Sequence, residues 1–385
     1  FGKFRPWIFI GTVLNAVVIV FLFRKPDLEG LPLYAYFSIM YILWGMTYTI
    51  MDIPYWSMIP TLATTKEDRE KISVVPRIFA SLGGLTVTTF GIALVNKLGN
   101  GNQIKGFEYF ALGIVIIFII STIVTCINVK EKTQVQVNNE KVNIKQAFNI
   151  LKQNDQLLVF IGIVLAYNLA MQLAGGAAIY YFKYVAGKES LFSLYSFFKV
   201  AEIGGLMLFP VVTRKIGRQQ VFRMATILPM FGLITLFISG LIAPQSILFI
   251  SVSAVLLNLG SGFLLGSTTV MLADIVDYGE YKLGSRNESI IFSAQTLLVK
   301  LASALSGWLI GVGLSLIGYV AGAAVQSNIT IIGIRVIMTI IPSIVALVMY
   351  VIYKSKYKIN GSFHDEILQV IGSRKKVKVL NINNK

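Results

Sequence analysis

The chain has 385 residues with a formal net charge of +16; 55% of them are hydrophobic and only 14% charged. A soluble globular protein carries about 25% charged residues because it must cover its surface with them, so this composition excludes a soluble enzyme. A single Cys leaves no internal disulfide, and a single His, His364 in the polar tail, leaves no His/Cys metal site and no Ser-His triad near a membrane-depth cavity. Cys126 sits in an apolar run and reads as a small hydrophobe.

Apolar stretches of ~20 residues suffice to cross the ~30 Å hydrocarbon layer as helices. Ten such segments are read in chain order, at 7–24, 32–55, 75–96, 107–128, 156–180, 190–212, 219–241, 246–275, 288–317 and 330–353. Pro54 and the pairs Gly83-Gly84 and Gly175-Gly176 fall inside them. Neighbouring helices can re-satisfy the backbone there. One hydrophobic stretch could be a signal peptide or an anchor, but ten cannot. With alternate loops assigned to opposite sides, 24 of the Lys and Arg residues fall on one side and 6 on the other. The remaining four, Arg77, Lys199, Lys300 and Arg335, lie within helices or at their ends. The positive-inside rule makes the richer side cytoplasmic, with both chain ends there. The basic charge is then a topology signal, and nucleic acid is not an expected partner.

The longest polar break, 129–155, leaves four segments before it and six after. Six-helix halves joined by a long cytoplasmic loop are the major facilitator architecture. The expected fold is an all-α polytopic membrane protein of this kind, with ten of twelve transmembrane helices (III–XII) present. Its parts are a partial four-helix bundle at 1–128, a central cytoplasmic loop at 129–155, a six-helix bundle at 156–353 and a basic cytoplasmic tail at 354–385. The chain opens on Phe1 in loop-like sequence, which reads as a chain without an N-terminal helical hairpin.

Ionisable residues at membrane depth cost about 2.5–3.5 kcal/mol each and line a cavity or pair with one another. Tyr48, Asp52 and Trp56 recur at i, i+4, i+8 and share a helix face. A carboxylate there can accept hydrogen bonds from vicinal hydroxyls, and an indole offers a flat face to a pyranose. The alternative is a helix-end Asp beside an aromatic-belt Trp. Arg77 either snorkels from its helix end or joins that site. Lys300, in mid-helix, needs a counter-charge, for which Asp52 is the candidate. Lys199 and Glu202 are spaced to neutralise each other. Asp274, Asp277, Glu280, Lys282, Arg286 and Glu288 cluster about one loop, either solvated or as a latch between the halves. Gly99-Asn100-Gly101-Asn102 follows a membrane segment and not a strand, so it is no phosphate loop.

Phe1 to Trp7, Tyr41 to Pro60 (YILWGMTYTIMDIPYWSMIP), Pro76 to Leu82, Asn154 to Leu157 and Ala273 to Leu283 together resemble the glycoside–pentoside–hexuronide:cation symporter family, melibiose carriers in particular. The resemblance runs along the whole chain. It implies that Asp52 and Trp56 bind the glycoside, with Arg77, Tyr48, Lys300 and Thr296 in the same substrate set. It also implies that Thr49 contributes to the cation site, and that Arg69, Asp274, Asp277 and Arg286 form a cytoplasmic gate. Two departures stand out. The family's acidic cation ligands lie on helix II, which this reading finds absent, and Leu265 aligns where melibiose carriers have a Trp.

The expected activity is symport of a galactoside such as melibiose with Na⁺, Li⁺ or H⁺ across a bacterial inner membrane, with no cofactor. The sugar, the cation and the lipid bilayer are the partners. The alternatives are symport of another glycoside, pentoside or hexuronide, and a transport-inactive sugar-binding or truncated protein. A polytopic membrane enzyme would need a catalytic constellation that the sequence does not display.

Overall fold

The first helix is inside out relative to a soluble one. Its buried positions are Ile8, Gly11, Thr12, Asn15 and Ala16, while Trp7, Phe9, Ile10, Val13, Leu14, Val17 and Phe21 face outward. Small and polar residues inside with large apolar ones outside suit a lipid solvent, where association depends on close backbone approach and interhelical hydrogen bonds. The computed structural model describes residues 2, 4–62, 66–129, 152–284, 288–359 and 362–383, and every regular element among them is helical. The chain divides into two compact units, Phe1–Asn139 and Glu140–Lys385.

The first unit comprises α1 (Arg5–Phe23), α2 (Leu31–Leu62), α3 (Lys66–Leu98) and α4 (Gln103–Asn128). Pro6 occupies the first turn of α1, where a missing N–H costs nothing. α1 packs against α2 and α4, and α3 against α4. At Gly11 a Cβ would fall 2.6 Å from the backbone N of Met51, so only glycine lets α1 and α2 approach this closely. Asn15 Nδ2 donates to Trp44 O at 2.9 Å and to Thr47 Oγ1 at 2.8 Å. Thr12 and Thr122 hydroxyls meet at 3.2 Å. The Arg5 guanidinium donates to the Cys126 carbonyl in the last turn of α4, the helix end that favours a cation. The Gly99–Asn102 sequence is a helix–helix turn: Asn100 takes φ 47°, and Asn102 Oδ1 caps α4 by accepting from Lys105 N at 3.2 Å.

The second unit contains α5 (Asp155–Tyr180), continued by a π-helical turn at Tyr181–Val185, then α6 (Ser190–Phe197), α7 (Val200–Ile216) and α8 (Arg218–Ile242). It is completed by α9 (Ile247–Leu283), α10 (Glu288–Leu316), α11 (Asn328–Lys356) and α12 (Ser362–Asn383). α9 is the central post: it packs on α5, α7, α8 and α12, while α11 packs on α5 and α8. At 37 residues it is roughly 55 Å long, well beyond the predicted 246–275, and it ends at Gly284 in the left-handed region (φ 71°). A Cβ on Gly262 would strike Glu202 O, and one on Gly205 would strike Leu259 O, so α7 and α9 touch backbone to backbone.

Eight helical spans among the described residues are long and apolar enough to cross a membrane, α6 and α7 counting together as one. The predicted segments 32–55 and 75–96 lie on α2 and α3, parts of whose side chains fall outside the described set. The predicted helix 190–212 is broken between α6 and α7. Most of the expected central loop 129–155 lies outside the described residues. The basic tail forms α12, which docks on α9 with Ile367 and Ile371 buried. Composition alone did not anticipate that docking.

Candidate functional site

The predicted face of α2 forms. Trp56 Nε1 donates to Asp52 Oδ1 at 3.0 Å, which pins the indole beside the carboxylate. The Tyr48 hydroxyl is also within electrostatic range of Asp52. One turn earlier Trp44 stands 6.4 Å from Tyr48 and 5.4 Å from Tyr41, ring centre to ring centre. An aromatic stripe therefore leads along α2 to one carboxylate. Trp56 remains 38% exposed within its own unit. The Thr49 hydroxyl spends its proton on Gly45 O at 2.7 Å, so its free lone pairs can serve only as acceptors, as a cation ligand must. Arg69 and Arg77 belong to α3, but their side chains lie outside the described residues, and so does Arg286.

In the second unit Thr296 and Lys300 stand one turn apart on the exposed side of α10, opposite buried Leu298 and Ala302. Asp52 and Lys300 fall in different units. Lys199 immediately precedes α7 and Glu202 lies in its first turn; they interact electrostatically without a direct ion pair. Leu265 is an exposed residue of α9.

The family resemblance implied a gate role for Asp274, and the structure surrounds it within its own unit. It is 6% exposed. Arg218 Nη1 lies 3.1 Å from Oδ2, the Tyr357 hydroxyl donates to the same oxygen at 3.4 Å, and His364 Nε2 is 3.2 Å from Oδ1. Burial, and then the neighbouring carboxylate, push the Tyr357 hydroxyl above the ordinary phenol range, which keeps it a donor. Sequence reasoning missed Arg218, Tyr357 and His364. They come from three different helices or their ends, and no spacing rule connects them. Asp277 is half-buried one turn further along α9.

The stretch Asn154 to Leu157, quoted above only as a shared motif, proves to be a clamp. Asn154 Oδ1 caps α5 by accepting from Leu157 N at 3.0 Å. Asp155 accepts from Tyr278 at 2.7 Å and pairs with Lys282 at the end of α9. Gln156 Oε1 accepts from Lys358 N at 2.8 Å, just beyond α11. Three consecutive polar side chains thus tie the start of α5 to the ends of two other helices. Arg335, which the sequence placed within a helix or at its end, is 8% exposed, lies 5.9 Å over the Phe237 ring and has an Nε without a hydrogen-bond partner. Among the described residues no group of three His, Cys, Asp or Glu could hold a metal ion.

Comparison with known proteins gives the family and the fold. Residues 1–361 match a family model described as MFS/sugar transport protein. The chain is 29% identical over 378 residues to the uncharacterized symporter YjmB of Bacillus subtilis, covering 96% of this chain and 79% of that protein. It is 28% identical to the raffinose carrier protein of Pediococcus pentosaceus, covering 95% of this chain but only 59% of the carrier. It is also 28% identical to the isoprimeverose transporter of Lactiplantibacillus pentosus, over 84% of this chain and 67% of that one. Among solved structures, a bacterial homologue of the human lysosomal transporter Spinster superposes with a TM-score of 0.62 at 12% identity. That match covers 91% of this chain and 82% of the other, and at such identity it speaks to the fold alone.

Proposed function

The chain belongs to the MFS/sugar transport protein family, a family of transporters and not of enzymes, and from that membership we propose that it carries out cation-coupled symport of a glycoside by alternating access. The observation that carries this reading is the α2 face, where Asp52 holds the Trp56 indole by a 3.0 Å hydrogen bond beneath an aromatic stripe. A charged acceptor next to a flat apolar ring matches the two sides of a pyranose: vicinal hydroxyls donate to the carboxylate, and the C–H face lies on the indole. Charge assistance makes each such bond about twice as strong as a neutral one.

Within this proposal the sugar is a galactoside such as melibiose. Asp52, Trp56, Tyr48, Arg77, Thr296 and Lys300 contribute to its binding, and Thr49 to the site for Na⁺, Li⁺ or H⁺. Arg69, Asp274, Asp277 and Arg286 serve the gate at the cytoplasmic side, where both chain ends lie. The cation must favour the conformation that binds sugar, and each ligand then raises the affinity for the other by the same factor. A symporter of another glycoside, pentoside or hexuronide is the second reading; relatives named for raffinose and isoprimeverose favour keeping it. The test is uptake of a panel of labelled glycosides into proteoliposomes holding the protein, with an inward Na⁺ gradient, with a proton gradient and with neither. Gradient-dependent accumulation of one glycoside is expected; equilibration without accumulation would reduce the protein to a facilitator, and no uptake of any sugar would refute the reading.

A further inference from the structure

We infer that the second unit carries a binding site for the headgroup of an anionic phospholipid, between α8 and α11 at the end of the bundle that holds Asp274. The inference rests on reading these helices as membrane-spanning. A cleft of ≈ 250 Å³ opens there, with Gln219, Gln220 and Arg223 on one wall and Tyr350, Lys354 and Tyr357 on the other. The walls are rigidly placed: the Phe222 and Tyr353 rings stack at 3.7 Å with 15° between their planes, and Tyr353 stacks in turn on Tyr357 at 5.3 Å. Arg223 and Lys354 each follow a member of the stacked pair, so the packing that joins the helices also fixes two cations on either side of one opening.

Among the described residues no carboxylate pairs with Arg223 or Lys354, and the buried Asp274 is already engaged by Arg218, Tyr357 and His364. Gln219 and Gln220 bring amide donors one turn before Arg223, in the first turn of α8, where backbone N–H groups are also unfilled. Two positive groups and several neutral donors around one opening call for a phosphate oxygen. A zwitterionic lipid would bring its own ammonium against the same cations, so the headgroup must be net negative.

The surroundings favour a lipid over a dissolved phosphate. Val351 and Leu347 lie one and two turns back from Lys354 on its face of α11, and Phe231 lies two turns beyond Arg223 on α8; all three are exposed. The cleft therefore stands where a polar helix end passes into lipid-facing apolar surface, with a path for acyl chains leading away from the cations. Basic pockets between transmembrane helices at this depth are a known physical solution for holding anionic headgroups.

The test titrates dioleoylphosphatidylglycerol or dioleoylphosphatidylcholine into the purified, detergent-solubilised full chain and counts bound lipids by native mass spectrometry. Phosphatidylglycerol should fill one site well below the concentration at which phosphatidylcholine adds. The double variant R223Q/K354Q should weaken that site about thirtyfold, the single variants each about fivefold, and R223K should retain it, because a lysine still offers a point charge to phosphate. Melting curves of each variant establish that it is folded. Equal binding of the two lipids by the parent, or unchanged phosphatidylglycerol binding in the folded double variant, overturns the inference. Inorganic phosphate is the third arm: if it occupies the site while phosphatidylglycerol does not, the ligand is a soluble phosphate and the lipid assignment is wrong. No sugar is present in any arm, so the outcome is independent of the transport proposal.

Discussion

Replacing Asp274 by Asn perturbs a buried carboxylate of the second unit that three side chains share. Asp274 is buried and receives Arg218 at 3.1 Å, Tyr357 at 3.4 Å and His364 at 3.2 Å. Asn keeps the shape but loses the charge and one of the two acceptor oxygens. Hydrogen bonds to a charged group contribute about 1.5–3 kcal/mol each. The Arg218 side chain is 48% exposed, and solvent screening cuts its share to about 1 kcal/mol or less. Tyr357 and His364 reach the carboxylate from the buried side; Asn keeps an acceptor oxygen for one of them and loses the other, so one such bond with the screened Arg218 share gives an expected loss of about 2–3 kcal/mol. For a unit of this size each kcal/mol moves the melting point by about 2–4 °C, giving a fall of roughly 4–12 °C by fluorescence-detected size exclusion after heating. His364→Ala removes the same contact from the tail side. Because the two residues share one interaction, the double variant should lose less than the sum of the singles, by at least about 0.5 kcal/mol. Limited proteolysis should then cut α12 faster in either single variant. A melting point for Asp274→Asn within about 1 °C of the parent, or strict additivity with His364→Ala, would refute the network as the tie between tail and bundle.

Asp52→Asn should lower glycoside affinity roughly 5- to 150-fold, since one or more sugar hydroxyls lose their acceptor at about 1–3 kcal/mol each. Binding to folded, purified variant checks this, and parental affinity would make Asp52 a helix-end residue only. Trp56→Phe keeps a ring but loses the N–H that holds Asp52, and should weaken binding less than Trp56→Ala in the same titration. Arg335→Met replaces a buried guanidinium whose Nε has no partner with an apolar chain of similar length. Buried charge replaced by packing is often neutral or stabilising by about 1–4 kcal/mol, so a melting-point fall above about 5 °C would show that Arg335 has a partner that matters. For topology, a Cys introduced at Asn139 in a Cys126→Ser background should resist an impermeant thiol reagent in whole cells and react after permeabilisation; labelling in intact cells would reverse the assigned orientation.

Membrane character and helical content were legible in the sequence because hydrophobic length is a local property. A run such as 107–128 must satisfy its own backbone in lipid and can do so only as a helix. The shared face of Asp52 and Trp56 was legible for the same reason, since residues at i and i+4 are neighbours on any helix; the 3.0 Å bond between them depends on side-chain rotamers that spacing does not fix. Hydropathy reported much less about how helices end and join. It ran 190–212 as one helix and stopped α9 at residue 275. The break near Phe198 and the extension to Leu283 depend instead on which neighbours each turn can pack against. Least visible were the long-range polar joints. Asp274 with Arg218, Tyr357 and His364, and Asp155 with Tyr278 and Lys282, draw on residues up to 127 positions apart. A charged residue in a sequence states only that it needs a partner; which partner it finds is decided by helix packing. That packing rests on close approaches such as Gly205 on Gly262, where what matters is a missing side chain, and only the assembled bundle shows which glycines are used that way.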